Sequence, residues 1–152
     1  MSNQQWLNLG VDEQIVSSLI KRGIKTPFPI QGLTIPDALR GNDVCGKAKT
    51  GSGKTLAFGI PMVQNLDQPS EDNNPRGLIM VPTRELAIQV KEELDPLLNG
   101  KSLTTVAIYG GANIEEQIKA IKRGIDIVVA TPGRMIDLLE REEISLQSLE
   151  MV

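Results

Sequence analysis

Short apolar runs alternate with amphipathic stretches along this chain. The runs are rich in β-branched residues and predict four strands, at Asp43–Cys45, Leu78–Val81, Thr104–Tyr109 and Asp126–Ala130. Stretches with helical spacing follow these runs. They predict helices at Lys54–Asn65, Glu85–Leu98, Ile114–Lys122 and Met135–Glu140, with one or two earlier helices in Glu13–Arg22 and Leu33–Leu39. This alternation predicts an α/β fold in which a parallel sheet is covered by helices on both faces.

The end of the sequence continues the same pattern. Leu149–Val152 is typical of the start of another strand, so we expect the sheet to be incomplete at its C-terminal end and the chain to be part of a longer protein. The polar segment Asp67–Arg76 contains two prolines and predicts a surface loop within one domain. In sheets of this kind, ligands bind at the carboxyl ends of the strands.

Composition and charge narrow the class of protein. The chain has 152 residues, of which 40% are hydrophobic and 23% charged, as expected for one compact domain. It has no apolar run that could span a membrane and no signal peptide at its start, so we expect a cytoplasmic protein. Cys45 is the single cysteine and histidine is absent, which excludes an internal disulfide and leaves few ligands for zinc. The net charge of −3 disfavours binding of nucleic acid through bulk charge, but it permits a local track of arginines and backbone N–H groups.

The strongest sign of chemistry lies between the first predicted strand and the helix after it. That context is the one a phosphate-binding loop requires. Gly51 and Gly53 allow the backbone N–H groups to point inward, and the following helix adds a partial positive charge. Lys54 can reach the β- and γ-phosphates, and the Thr55 hydroxyl can bind magnesium. The predicted nucleotide site comprises Ala48, which stands where the usual pattern has glycine, with Lys49, Thr50, Gly51, Ser52, Gly53, Lys54 and Thr55.

The segment Gly23–Gln31, Gly-Ile-Lys-Thr-Pro-Phe-Pro-Ile-Gln, resembles the Q motif of DEAD-box RNA helicases. In that family the glutamine reads the edge of adenine, and the amide of Gln31 offers the donor and the acceptor that this task needs. The family also has an isolated aromatic residue seventeen positions before the motif, where this chain has Trp6. The resemblance implies that Trp6, Ile24, Pro29 and Gln31 serve the adenine site. Ile24 departs from the family pattern, which has an aromatic residue there to pack on the base.

Three further segments resemble motifs of the same family and follow predicted strands in the family's order. Pro82-Thr83-Arg84 resembles motif Ia, Gly110-Gly111 resembles the GG element, and Thr131-Pro132-Gly133-Arg134 resembles motif Ib. The resemblance implies that these residues hold single-stranded RNA through its phosphates, without reading its sequence. Each segment also has a structural interpretation by itself. Thr83 suits a helix N-cap, Arg84 could pair with a carboxylate, the glycines suit any turn, and the last segment suits a helix start.

The whole chain is therefore similar to the N-terminal part of the first RecA-like domain of a DEAD-box helicase, from the Q motif to motif Ib. The resemblance implies an ATP-dependent RNA helicase that unwinds or remodels short duplexes and has a second RecA-like domain. The family's Asp-Glu-Ala-Asp motif, which serves magnesium and the attacking water, does not occur in these 152 residues. We therefore expect the chain to bind ATP or ADP with Mg²⁺ but not to hydrolyse ATP efficiently, although it contributes Lys54 and Thr55 to catalysis.

Three other functions stay open at this point. A small kinase or GTPase also has a phosphate-binding loop, but the guanine-reading string Asn-Lys-x-Asp is absent. A naturally truncated binding module would compete for RNA or for partner proteins without catalysing a reaction. A DNA helicase of the same superfamily is disfavoured by the Q motif beside Thr-Pro-Gly-Arg, although contacts limited to phosphates discriminate poorly between RNA and DNA.

Overall fold

The computed structural model describes residues 2–152. Within this range lie three strands, seven α-helices and one short 3-10 helix. The strands are β1 (Gly77–Met80), β2 (Thr105–Ile108) and β3 (Ile127–Ala130); the α-helices are α1 (Ser2–Asn8), α2 (Glu13–Lys21), α3 (Pro29–Leu39), α4 (Lys54–Asn65), α5 (Arg84–Leu94), α6 (Ile114–Lys122) and α7 (Pro132–Glu140); the 3-10 helix is Asp95–Leu98. None of the helices in this range is both long and apolar enough to cross a membrane.

The chain divides into two compact units. One unit contains the residues up to Asn65 together with Pro96–Gly100, and the other contains Leu66–Asp95 together with Lys101–Val152. The first unit therefore holds α1 to α4 and the phosphate-binding loop. The second holds the sheet, α5 to α7 and the three segments that resemble RNA-binding motifs.

Helices build the first unit. Apolar side chains at helical spacing on α2 are buried, among them Ile15 and Leu19, which are fully enclosed. Two polar side chains of the same helix tie it to the segment Pro96–Gly100. The Ser18 hydroxyl donates to the Pro96 carbonyl (2.6 Å), and the Gln14 amide donates to the Asn99 carbonyl (2.8 Å). The segment is thus held by α2 through its backbone carbonyls.

A parallel sheet forms the centre of the second unit. Its strand order is β1–β3–β2, and both neighbouring pairs are parallel. Because parallel strands cannot be joined by a tight turn, α5 connects β1 to β2 and α6 connects β2 to β3. All three strands consequently end at the same edge of the sheet, and the segments that follow them start there.

Both faces of this sheet are covered. On one face, side chains of the strands pack with those of α6 and α7 around a core formed by Leu78, Ile108, Ile118, Ile121, Ile125, Val128, Ala130, Met135, Leu138 and Ile144. On the other face, α5 lies against β2 and β3. The central strand β3 is buried along its whole length. This arrangement confirms the predicted α/β fold with helices on both sides of a parallel sheet.

Hydrogen bonds organise the predicted surface loop Asp67–Arg76. The buried carboxylate of Asp126 accepts from the Ser70 N–H (2.5 Å) and from the Thr104 N–H (2.7 Å). Within the loop, Asp72 accepts from the Ser148 hydroxyl, the Asn74 N–H and the Ser70 hydroxyl. These bonds, of which the one from Ser148 is the most effective, hold the pKa of the Asp72 carboxyl well below its ordinary value.

Of the strand predicted at the end of the sequence, the structure has a single isolated bridge at Met151. This residue pairs in parallel with Gly77, and its carbonyl accepts from the Leu78 N–H (3.0 Å). A bidentate ion pair lies beside this contact, with Arg76 Nε 2.6 Å from Glu150 Oε1 and Nη2 3.0 Å from Oε2. The hydrogen bonds from Arg76 lower the pKa of the Glu150 carboxyl. Backbone pairing and side-chain pairing together hold residues 150–151 against β1.

The strand predicted at Asp43–Cys45 is wrong. Residues 43–49 have no regular secondary structure, and Val44 has 43% of its surface exposed. An apolar run becomes a strand only when another strand hydrogen-bonds to it. No described residue pairs with this run in a β-ladder, so its preference for extended backbone does not produce a strand.

The helix predictions differ from the structure mainly at their ends. The predicted helix Glu85–Leu98 is divided, because α5 ends at Leu94 and a 3-10 turn that contains Pro96 follows. The predictions for α3 and α7 began too late, since these helices start at Pro29 and Pro132, where a proline occupies the first position. Helix α1 was not predicted.

Candidate nucleotide and nucleic-acid sites

The phosphate-binding loop leads directly into α4, which begins at Lys54. Gly51 and Gly53 both have left-handed backbone conformations, with φ of +79° and +81°. The Ser52 N–H donates back to the Lys49 carbonyl (3.2 Å), which tightens the loop. The Lys54 ammonium donates to the Ala48 carbonyl (2.6 Å), so it spans the loop that it belongs to. Lys54, the predicted phosphate ligand, is thus hydrogen-bonded to the loop that is predicted to hold the phosphates.

The glutamine of the predicted adenine motif packs directly on the phosphate-binding loop. Gln31 is fully buried, its Oε1 accepts from the Phe28 N–H (2.7 Å), and its Nε2 donates to the Gly53 carbonyl (3.0 Å). A Cβ atom at Gly53 would lie 2.4 Å from Gln31 Nε2 and 2.9 Å from the Phe28 ring. Only glycine fits this contact, so the structure brings Gln31, Phe28 and the loop together. Phe28 itself has 51% of its surface exposed.

The other residues predicted for the adenine site are placed differently. Ile24 is half-buried, and Pro29 is exposed at the first position of α3. Trp6 is fully buried, and its indole N–H has no hydrogen-bond partner among the described residues. In this structure Trp6 contributes to its unit through packing. The assignment of Trp6 to the adenine site stays a prediction.

Thr83 and Arg84 begin α5, immediately after β1. The Thr83 hydroxyl oxygen accepts from the Leu86 N–H (3.3 Å), which confirms the interpretation of Thr83 as an N-cap. Arg84 is exposed, as is the preceding Pro82, and its guanidinium carbon lies 5.6 Å from the centroid of the Tyr109 ring. This distance is typical of a cation–π contact. Arg84 is therefore oriented by an aromatic ring and still reaches solvent.

The glycine pair Gly110–Gly111 turns the chain directly after β2. Both glycines are exposed, and Gly111 has a φ of +80°. A Cβ atom at Gly111 would lie 3.4 Å from Arg84 Nη1, which shows how closely the turn approaches that arginine. The motif that follows β1 and the motif that follows β2 are thus neighbours.

The segment Thr131–Arg134 connects β3 to α7. The Thr131 side chain makes no capping bond, and the helix begins at Pro132. The N–H groups of Gly133 and Arg134 lie in the first turn, where an α-helix provides no internal partner. Arg134 is half-buried, and its Nη1 and Nη2 both donate to the Ala112 carbonyl (3.2 Å each). Much of this guanidinium is consequently hydrogen-bonded within the protein, and its predicted role in binding phosphate stays a prediction.

The structure adds functional candidates that the sequence motifs did not include. Gln117 on α6 is buried, donates to the Tyr109 carbonyl (3.0 Å) and accepts from Arg134 Nη1 (3.3 Å). A signal for it exists in the sequence, because Gln117 interrupts the apolar stripe formed by Ile114, Ile118 and Ile121. Tyr109 also had a signal, as the single tyrosine of the chain directly before a glycine pair. The three predicted RNA motifs therefore lie at one edge of the sheet and contact each other through these residues.

Comparison with known proteins decides the family. The model of the DEAD/DEAH box helicase family matches residues 28–152. The chain belongs to the DEAD/DEAH box helicase family. It is 48% identical over 141 residues to the ATP-dependent RNA helicase CshA of Listeria monocytogenes, a match that covers 93% of this chain and 27% of CshA. It is also 45% identical over 152 residues to the pre-mRNA-processing ATP-dependent RNA helicase PRP5 of Gibberella zeae, with 98% of this chain and 13% of PRP5 covered.

A solved structure supports the same assignment. The crystal structure of the RNA helicase Prp28 from Chaetomium thermophilum bound to ADP superposes with a TM-score of 0.87 at 36% sequence identity. The match covers 97% of this chain and 37% of the Prp28 chain. The predicted RecA-like α/β fold of this DEAD-box family member is thereby confirmed. The chain spans between about an eighth and a quarter of the length of the two curated relatives.

Proposed function

We propose that this chain is the nucleotide- and RNA-binding part of an ATP-dependent RNA helicase, and that residues 1–152 form the N-terminal part of its first RecA-like domain, from the Q motif to motif Ib. The parent protein would combine it with a second RecA-like domain and unwind or remodel short RNA duplexes. The packing of Gln31 on Gly53 supports this proposal most directly, because it joins the adenine motif to the phosphate-binding loop within one unit. A cytoplasmic location stays a prediction.

The loop residues fit a nucleotide with Mg²⁺. The exposed Lys54 ammonium donates to a neutral carbonyl in this structure. It can exchange the Ala48 carbonyl for a phosphate oxygen, because that bond joins two opposite charges. The N–H groups between Gly51 and Thr55 lie at the N-terminus of α4, where the binding of an anion is favoured. The Thr55 hydroxyl is one oxygen ligand, which suits Mg²⁺ because this ion keeps waters and phosphate oxygens as its other ligands. When bound, ATP would supply the phosphoryl group and Mg²⁺ would neutralise part of its charge.

Gln31 can bind adenine through the donor and the acceptor of its amide that have no partner in the part of the chain that the structure describes. An amide has two N–H donors and two acceptor lone pairs. One donor is bonded to Gly53 and one lone pair to Phe28, which leaves one of each for the base. Because Gln31 is fully buried, the base reaches it only when the neighbouring loop moves. We propose that phosphate binding, which breaks the Lys54–Ala48 bond, accompanies this movement.

The nucleotide proposal is tested by calorimetric titration of the chain with Mg²⁺–ADP. Lys54→Ala should weaken ADP binding about tenfold or more, since a charged hydrogen bond contributes roughly 1.5–3 kcal/mol. Lys21→Ala, an exposed lysine at the end of α2, should leave the affinity unchanged. With ATP we expect binding without measurable turnover. Equal affinities for the two variants, or an RNA-stimulated ATPase rate from the 152-residue chain, would contradict the proposal.

The RNA proposal rests on the edge of the sheet where three motifs meet. Arg84 presents an exposed guanidinium there, and the first turn of α7 presents the N–H groups of Gly133 and Arg134. Helix N-termini and arginines bind phosphate oxygens irrespective of the base sequence. Gly110 and Gly111 allow a nucleic-acid strand to approach the backbone without side chains in the way. We therefore propose sequence-independent binding of single-stranded RNA at this edge.

A fluorescently labelled oligouridine tests the RNA proposal by anisotropy at several salt concentrations. Arg84→Ala should lower the affinity and reduce the slope of log affinity against log salt by about 0.7, the value for one phosphate contact on a single strand. Arg123→Ala is the matched control, because Arg123 is exposed at the end of α6, away from the edge where the strands end. A salt slope that Arg84→Ala leaves unchanged would exclude Arg84 as a phosphate ligand.

A further inference from the structure

Gln117 is a polar residue on the buried face of a helix. It shares that face of α6 with Ile118 and Ile121, and only 8% of its surface is exposed. Burying an amide costs free energy unless its groups are hydrogen-bonded. A leucine at this position would bury apolar surface without that requirement. The bonds that Gln117 makes therefore indicate what the amide contributes.

Both ends of the Gln117 amide bond to residues of the RNA-binding edge. Its Nε2 donates to the Tyr109 carbonyl (3.0 Å), and its Oε1 accepts from Arg134 Nη1 (3.3 Å). The same guanidinium donates through Nη1 and Nη2 to the Ala112 carbonyl (3.2 Å). Tyr109 and Ala112 are the residues on either side of Gly110–Gly111. The two ends of the glycine turn are thus held by one connected set of hydrogen bonds.

The same set of bonds extends to the exposed arginine after β1. Tyr109 is fixed at its carbonyl by Gln117, and its ring lies 5.6 Å below the guanidinium of Arg84. Arg84 in turn lies close to Gly111. Gln117 therefore links the residues after all three strands, although it belongs to none of the three motifs.

We propose that Gln117 is a positioning residue for RNA binding: it fixes the Gly110–Gly111 turn relative to Arg84 and to the first turn of α7. Glycines are flexible, so a turn made of two of them presents its N–H groups in one orientation only when its ends are held. Gln117 holds one end directly and supports Arg134, which holds the other. This inference rests on the proposed RNA binding, and it adds a residue that would act without touching RNA.

Two substitutions separate the contributions of the two hydrogen bonds that the Gln117 amide makes. Gln117→Met keeps the length of the side chain and removes both hydrogen bonds, whereas Gln117→Glu keeps the acceptor for Arg134 and loses the donor to Tyr109. Gln89→Met is the matched control, because Gln89 is exposed on α5 in the same unit. Urea denaturation shows the fraction of each variant that is folded. RNA affinity is then measured by oligouridine anisotropy under conditions in which each variant is fully folded.

We expect Gln117→Met to lower the RNA affinity of the folded protein about fivefold, the contribution of one typical hydrogen bond, with a smaller loss for Gln117→Glu. Hydrogen exchange of the Gly110 and Gly111 amides should become faster in Gln117→Met, while Mg²⁺–ADP affinity and Gln89→Met should match the wild type. Reduced stability with unchanged RNA affinity and unchanged exchange would show a purely structural role and overturn the proposal.

The two readouts distinguish failure of this proposal from failure of the proposed function. A wild-type chain that does not bind oligouridine contradicts the RNA-binding proposal, and hydrogen exchange then decides whether Gln117 fixes the turn. Unchanged exchange at Gly110 and Gly111 in Gln117→Met overturns the positioning role in either case. RNA binding that Gln117→Met leaves intact overturns this inference alone.

Discussion

Two glycines of the phosphate-binding loop share a backbone conformation but differ in their surroundings. Gly51 and Gly53 have φ angles of +79° and +81°, a region that costs a residue with a Cβ atom roughly 1–2 kcal/mol. No atom lies within 4 Å of a Cβ built at Gly51, whereas one built at Gly53 would collide with Gln31 and Phe28. The first glycine is therefore required for conformation only, and the second for conformation and contact.

This difference predicts unequal effects of the same substitution. Gly51→Ala should destabilise the chain by the conformational cost alone. Gly53→Ala should add the displacement of Gln31 from a fully buried position, for a total about 1–3 kcal/mol larger. Urea denaturation of both variants measures the difference. Equal losses of stability would show that Gln31 does not pack on the loop in solution.

At the scale of single residues, the sequence is most informative where the structure is local. Lys54, Gly53 and Thr83 lie in short segments whose spacing already defines a loop or a helix start. The full burial of Trp6 could not be predicted, because it depends on the packing of the first unit. The contacts of Gln117 could not be predicted, since its partners Tyr109 and Arg134 come together only when the sheet forms.

At the scale of elements, the loop Asp67–Arg76 has more order than its polar sequence indicates. Asp126 fixes its backbone at Ser70, and Asp72 binds the Ser148 hydroxyl, which lies far along the sequence. A carboxylate that accepts several hydrogen bonds is stabilised in its charged form. The ordering of this loop should therefore depend on the charge of Asp72.

The lowered pKa of Asp72 predicts a pH dependence of stability. Because the pKa is lower in the folded state than in the unfolded chain, the stabilisation is fully present above the ordinary carboxyl pKa of about 4 and is lost as the pH falls below it. Asp72→Asn should lower the midpoint of thermal unfolding by a few degrees near neutral pH. The difference from wild type should shrink as the pH falls from about 5 to about 3.

Glu71→Gln is the control for this pH dependence, since Glu71 is an exposed neighbour in the same loop. It should leave the unfolding curve unchanged throughout. The stability of Asp72→Asn should still depend on pH to some extent, because Arg76 also lowers the pKa of Glu150. A difference between Asp72→Asn and wild type that stays constant with pH would contradict the assigned role of the Asp72 charge.

Helices of this chain could be predicted more reliably than strands. The periodicity of α4 and α6 defined both of their ends correctly, since helical hydrogen bonds are local. The strand expected at Asp43–Cys45 did not form, since a strand needs a partner that lies elsewhere in the sequence. Even where strands formed, as in β1, the predicted ends differed from the observed ones by a residue.

The whole molecule is acidic, yet its proposed RNA site needs no general positive charge. The net charge is −3, and the proposed phosphate ligands are Arg84 and a few backbone N–H groups at one edge of the sheet. Binding through so few contacts should be weak, and its dependence on salt should be shallow because few phosphates are neutralised. Family membership, the confirmed fold and the meeting of the motifs all support the proposal that RNA binds at this edge.

The central claim is that the unit formed around the phosphate-binding loop recognises an adenine nucleotide. The most direct measurement is a calorimetric titration with Mg²⁺–ADP and Mg²⁺–GDP of the wild type, of Gln31→Ala and of Gln5→Ala, an exposed glutamine of α1. We predict that the wild type and Gln5→Ala bind ADP in preference to GDP, and that Gln31→Ala binds ADP more weakly and loses the preference. Equal binding of the two nucleotides by the wild type, or binding of neither, would contradict the account.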